Sequence, residues 1–192
     1  GVAVDSSGFI YVADTSNHTI RKISPGGTTV TTIAGLAGSP GSTDGTGSAA
    51  RFNGPMDLAV DISTNDIYVA ADATIRKITP GGVVTTFAGQ AGTLAHLDGT
   101  GSAARFSGLY GLTVDSSSNI YVADSYAIRK ITTGALVTTI AGLPKISGNV
   151  DGTGASAKFD KPSGVSTDPF GNIYLTDSVQ HTIRKVTPRG VV

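Results

Sequence analysis

The ionisable residues of this chain are of few kinds, and their positions decide which chemistry is open to it. Every acid is an aspartate: there are 14 Asp and no Glu, against 14 Lys and Arg, three His and no Cys. Four carboxylates, Asp5, Asp61, Asp115 and Asp168, end short apolar runs at matching places. Gathered around an axis, they could hold Ca²⁺ or Mg²⁺. Turn formers follow each of them, as in Asp5-Ser6-Ser7-Gly8, so the plainer expectation is a side-chain-to-backbone bond that starts a turn, with no metal bound. A second set, Asp44, Asp98 and Asp151, opens Asp-Gly-Thr-Gly loops, each followed seven residues on by a cation: Arg51, Arg105 or Lys158. These loops lack the alternating Asp/Asn series of a calcium loop and read as turns that lead into a short helical turn.

The histidines form no zinc pattern. His18 and His181 occupy one place in two of the units, and His96 sits in a connection. Zinc needs three converging ligands with ordered outer partners. No Gly-x-Ser-x-Gly elbow is present, and without Cys there is no thiol nucleophile. No cofactor is implied.

The charges repeat. Eight of the 14 cations are the Arg-Lys pairs at 21–22, 76–77, 129–130 and 184–185, three more are Arg51, Arg105 and Lys158, and eleven of the 14 Asp also recur by position, counting Asp72, which is displaced by one place. One substrate needs one acid or base, so a catalytic site breaks symmetry, whereas scaffolding repeats. The pattern favours scaffold over catalysis. Asp14 with Arg21, Asp124 with Arg129 and Asp177 with Arg184 are expected to form cross-hairpin ion pairs, each contributing about 0–1 kcal/mol.

The elements that carry these residues follow from the repeat. Tyr11, Tyr68, Tyr121 and Tyr174 are 57, 53 and 53 residues apart, each in an Ile-Tyr-Val-Ala-like run followed by Ile-Arg-Lys-Ile/Val. A fixed period of that length signals stacked supersecondary units. Each unit reads as four short strands: an apolar strand ending in Asp, the Ile-Tyr-Val-Ala strand, the Ile-Arg-Lys-Ile strand and a Val-Thr-Thr-Ile/Phe-Ala-Gly strand rich in β-branched residues. The second does not alternate, so both its faces should be covered. The fold class expected is all-β, a propeller of four-stranded antiparallel blades.

Together the runs Gly-Val-Ala-Val-Asp, Ile-Tyr-Val-Ala-Asp-Thr-Ser-Asn17-His18-Thr-Ile-Arg-Lys-Ile and Val-Thr-Thr-Ile-Ala-Gly resemble the NHL repeat, and the resemblance covers essentially the whole chain. Units fall at roughly 1–56, 57–110, 111–163 and 164–192, the last without its fourth strand, which makes one partial ring of about three and a half blades. Related propellers usually close about six. The expectation is therefore a piece of a longer chain, or a ring completed by missing blades or by another chain, since open edges invite association, with a four-bladed ring the less favoured alternative. Units two and three shorten the Asn-His loop by two residues and should close that hairpin differently.

As to function, the resemblance implies a binding or assembly module without catalysis. A protein or glycan would lie across a face shared by the Asp-Gly-Thr-Gly and Asn-His loops, with Asp44, Arg51, Asp98, Arg105, Asp151, Lys158, His18 and His181 as contact candidates. The alternatives are a metal-dependent lyase or hydrolase whose catalytic residues lie in other blades, and a structural subunit of a larger assembly. Similar lyases gather His ligands and lactonase-type propellers use Glu; this stretch has no Glu. Zero net charge, no Trp and tyrosines placed inside strands argue against a nucleic-acid partner. No apolar run approaches the roughly 20 residues that span a bilayer. Asn17-His18-Thr19 fits a glycosylation sequon and leans slightly towards secretion.

Overall fold

The computed structural model describes all 192 residues. The first sheet is β1 (Val2–Val4), β2 (Ile10–Asp14), β3 (Thr19–Ile23) and β4 (Val30–Gly35), paired in that order and antiparallel. The second comprises β5 (Gly45–Thr46), β6 (Asp57–Val60), β7 (Ile67–Ala71), β8 (Thr74–Ile78) and β9 (Val83–Gly89), ordered β5-β9-β8-β7-β6. The third repeats this plan with β10 (Gly99–Thr100), β11 (Leu109–Val114), β12 (Ile120–Asp124), β13 (Ala127–Ile131) and β14 (Leu136–Gly142). The fourth has three strands, β15 (Pro162–Thr167), β16 (Ile173–Asp177) and β17 (Thr182–Val186).

The innermost strands β1, β6, β11 and β15 pack in sequence, so the sheets follow one another as blades of a propeller. The expected all-β blade architecture is observed. One detail exceeds it: the Gly-Thr of each Asp-Gly-Thr-Gly loop forms a short outer strand on the next blade, Gly45 opposite Val84 and Gly99 opposite Val137. Thr153 bridges to Val191 in the same way. The connection after one repeat is thus hydrogen-bonded into the blade of the following one.

Alternation within the strands divides each blade between its two neighbours. In the second blade, Leu58, Ile67, Val69, Ile78 and Val84 pack on the first blade's Tyr11, Ala13, Ile20 and Ala34. From its opposite face, Tyr68, Ala70, Ile75 and Ala88 pack on the third blade's Leu112, Ile120, Val122 and Ile131. The third and fourth blades repeat the arrangement. Central strands β7 and β12 are therefore buried at every residue, as a run without alternation requires. In the end blades, the same sequence pattern gives β2 and β16 alternating burial. Ile20, Ile75 and Ile128 are fully buried, yet their counterpart Ile183 is 78% exposed because nothing covers that face.

Each fourth strand ends in a glycine in the left-handed region, with φ of +90°, +91° and +95° at Gly35, Gly89 and Gly142. A Cβ at Gly89 would strike the Ala73 carbonyl oxygen and the Phe106 ring. We expect Gly89→Ala to destabilise the protein by about 2 kcal/mol or more, from strained φ and lost packing. Urea unfolding checks this; a change within about 0.5 kcal/mol would show that the site relaxes freely.

Candidate functional site

Nearly all the repeated charge is held within the scaffold. Asp5 Oδ1 accepts the amides of Ser7 and Phe9, both at 2.9 Å, while Oδ2 accepts the Tyr11 hydroxyl at 3.0 Å. Asp115 does the same with Ser117, Asn119 and Tyr121, and Asp168 with Phe170, Asn172 and Tyr174. Asp61 accepts the amide and hydroxyl of Ser63. Each carboxylate is thus bound up in its own turn between the first and second strands. No three His, Cys, Asp or Glu side chains converge as metal ligands. Burial pushes the phenols of Tyr11 and Tyr121 up to about 12, reinforced by the adjacent carboxylates.

The Asp-Gly-Thr-Gly aspartates meet a different partner from the one expected of a binding face. Arg76 of β8 is buried and donates to Asp44 Oδ1 at 2.8 Å and to the Arg51 carbonyl at 2.9 Å. Its guanidinium lies 5.2 Å from the centre of the buried Phe52 ring. Arg129 repeats this with Asp98, the Arg105 carbonyl and Phe106, and Arg184 with Asp151, the Lys158 carbonyl and Phe159. Arg51 and Arg105 turn back onto carbonyls of the adjacent 3₁₀ turn, at Ser48 and Ala50 and at Ser102 and Ala104. Of the three ion pairs expected within hairpins, those of Arg129 and Arg21 form and that of Arg184 is corrected. Arg129 pairs closely with its hairpin partner Asp124, at 2.6 Å, and Arg21 makes a longer, partly exposed pair with Asp14 at 3.7 Å. Arg184 bonds Asp151, and Asp177 instead accepts the amides of Asp160 and Lys161.

The shared face expected of the two loop types is also corrected. Gly47, Gly101 and Gly154 donate to Gly82, Ala135 and Gly190, which lie in the turns between third and fourth strands. The Asp-Gly-Thr-Gly loops therefore run along the outer rim towards that end. The Asn-His loop lies at the opposite end: His18 Nδ1 accepts the Gly54 amide at 3.1 Å, and Thr15 Oγ1 donates to the Pro55 carbonyl. His18 and His181 both hold left-handed φ at their hairpin tips. The shortened hairpins close differently, as expected, with Asp72 and Ala73 both at positive φ in the type I′ pattern.

The NHL repeat family matches residues 1–23. The chain is 32% identical to Arabidopsis thaliana protein SUPPRESSOR OF QUENCHING 1, chloroplastic, over 93% of its own length, and 30% identical to human NHL repeat-containing protein 2 over 98%. The chain belongs to the NHL-repeat β-propellers. It spans only 18% and 31% of those two relatives. Among solved structures, a Bacteroides thetaiotaomicron protein of unknown function superposes with TM-score 0.79 at 28% identity, over 96% of this chain and 46% of that one. An auxiliary nutrient binding protein from Bacteroides ovatus has TM-score 0.74 at 21% identity, again over 96% and 46%. Streptogramin B lyase shares the fold, with TM-score 0.66 at 15% identity over 99% and 51%.

Residues that depart from the NHL repeat hold roles that no motif in the sequence signals. His96 joins Asp124 through Nδ1 at 3.3 Å and Thr139 through Nε2 at 3.1 Å. Asp57 stands where the other units have Gly1, Gly111 and Gly164; its Oδ2 accepts the Leu112 amide at 2.9 Å, and burial raises its pKa. Tyr110, Tyr126, Asp160 and Lys161 line one cleft of the NHL propeller. The available signal was the same in each case: a residue unlike its counterparts one period away.

Burial alone would push the Asp124 carboxyl up, yet His96, the Gly108 and Ser107 amides and Arg129 hold it below the usual range. Asp98 is lowered in the same manner: Thr139 and Arg129 outweigh the effect of burial. A carboxyl depressed on folding adds stability that is present above its unfolded pKa and lost as pH falls through the folded one. Unfolding free energy should therefore drop as pH falls below about 4. Asp124→Ala, which leaves Arg129 buried without that partner, should cost about 3–5 kcal/mol. Asp14→Ala should cost about 0–1 kcal/mol, because its pair is long and partly exposed. Equal costs in urea titrations at pH 7 would refute the distinction.

Proposed function

We propose that this NHL propeller is a non-catalytic recognition module that holds a protein or glycan. Its contact surface is the face formed by the loops between second and third strands together with the segments at 53–55, 107–109 and 160–162. The observation that carries this reading is how the polar residues are divided. Repeated aspartates and arginines are bonded to one another and to backbone inside blades and along the rim. The charged and aromatic departures Asp160, Lys161, Tyr110 and Tyr126 collect on that one face, where they line a cleft instead of joining the buried arginine–aspartate pairs. Function depends on such sites rather than on the fold that carries them.

The contact candidates therefore divide. His18 and His181 belong to the recognition face, whereas Asp44, Arg51, Asp98, Arg105, Asp151 and Lys158 support the rim. The test is to screen the purified chain on glycan and peptide arrays, then recover the bound partner for mass spectrometry. The expected result is a partner recovered chemically unchanged, with Lys161→Glu weakening capture and Asp151→Asn lowering thermal stability only. A partner recovered as a cleavage or elimination product, with bound metal and activity lost on chelation, would instead establish the enzyme alternative.

A further inference from the structure

Three departures from the repeat meet in a single cleft between the third and fourth blades. Tyr110 stands where neighbouring units have Met56 and Ser163, and Tyr126 stands where the second unit has Ala73. Asp160-Lys161 replaces Asn53-Gly54 and Ser107-Gly108. These residues, with Ser125 and Val179, line a cleft of about 220 Å³.

The cleft is structurally supported. Asp177, itself buried, accepts the Asp160 amide at 2.8 Å and the Lys161 amide at 3.0 Å. The Ser178 amide and hydroxyl both donate to the Lys161 carbonyl, at 3.0 and 3.1 Å. The backbone under both charges is thereby fixed while their side chains point away from it. Asp160 Oδ2 accepts from Gln180 Nε2 at 2.9 Å, and the Lys161 ammonium lies 5.3 Å from the centre of the Tyr110 ring. Opposite them, Ser125 and Tyr126 form the two-residue tip of the β12–β13 hairpin, with the Ser125 amide bonded to the Gly108 carbonyl at 2.8 Å. A Cβ at Gly108 would sit 2.7 Å from Ser125 Oγ, so only glycine there leaves the hydroxyl in place.

We propose that this cleft binds a saccharide, either one sugar residue or the end of a glycan chain, an assignment that rests on the recognition-module reading above. Carboxylate and ammonium stand in adjacent residues and cancel, which favours an uncharged ligand. Sugar hydroxyls each donate and accept, and the cleft offers acceptors at Asp160 beside donors at Lys161 and Ser125. Tyr110 and Tyr126 both line the cleft, and an aromatic ring offers a flat apolar surface for the C–H face of a pyranose with little conformational entropy lost. An apolar peptide side chain would find one aliphatic residue here, Val179. The volume lies below the roughly 300–1,000 Å³ of sites for drug-sized ligands, in keeping with a single sugar unit.

The intact chain would be titrated by calorimetry and saturation-transfer NMR with methyl glycosides of glucose, galactose, mannose and N-acetylglucosamine and with their disaccharides. The same probes would be placed beside peptides on an array. We expect at least one glycoside to bind, Tyr126→Ala and Asp160→Asn each to weaken it at least tenfold at unchanged Tm, and Tyr126→Phe to keep most of the affinity. If Tyr126→Ala fails to fold, Asp160→Asn carries the test, because it is the Asp160 amide and not the side chain that Asp177 holds. Saccharide binding indifferent to these substitutions would overturn the cleft and leave the recognition module standing. Peptide capture without saccharide binding would overturn the sugar chemistry alone. No binding of any class would overturn both.

Discussion

The buried arginine in the third strand of the second, third and fourth blades is the constraint around which the blades assemble. Arg76, Arg129 and Arg184 reach out of one blade into the connection that arrives from the blade before, and there each meets an aspartate, a main-chain carbonyl and a phenylalanine ring. A buried guanidinium without such partners would carry a desolvation cost of several kcal/mol. The connection therefore cannot leave the blade without stranding the charge. The Phe ring is the other half of the device: Phe106 also packs against Gly89 at the end of the preceding fourth strand, where no side chain fits. One residue thus touches both blades, and the arginine clamps it.

Stability in such an array is carried between neighbours rather than within a unit. Each blade buries one set of alternate residues forward and the other backward, so the three clusters are interfaces between successive blades. The exposed Ile183 and the half-exposed Arg21 mark faces where this sum lacks a term. Arg21 has the same sequence surroundings as Arg76, but no Asp-Gly-Thr-Gly segment lies against it, so it makes only a long contact to Asp14.

Symmetry is what separates scaffold from site in this molecule. Repeated residues are repeated because each blade needs the same turn, latch and packing. A ligand arriving at one position asks nothing of the equivalent positions, so its contacts are free to differ. Asp57, His96, Tyr110, Tyr126, Asp160 and Lys161 are among the residues that differ. His96 and Asp57 were absorbed by buried polar networks, whereas the last four line a cleft.

The sequence by itself determined the class of fold and the four strands of each complete unit. Period-53 repetition, β-branched strands and Asp-led turns each act over a few residues and repeat without interference. It also determined the roles of Asp5, Asp115 and Asp168, since a turn aspartate finds its amides two and four residues away. Tertiary structure alone decided which aspartate each arginine takes, because the partner lies about 30 residues back and depends on how the connection lies across the rim. Hairpin proximity suggested Asp177 for Arg184; packing put Asp151 there and turned Asp177 onto the amides of Asp160 and Lys161. The cleft was undetermined for the same reason. Tyr110, Tyr126 and Asp160 come from a strand start, a hairpin tip and a loop of two different blades, and only the stacking of those blades brings them together.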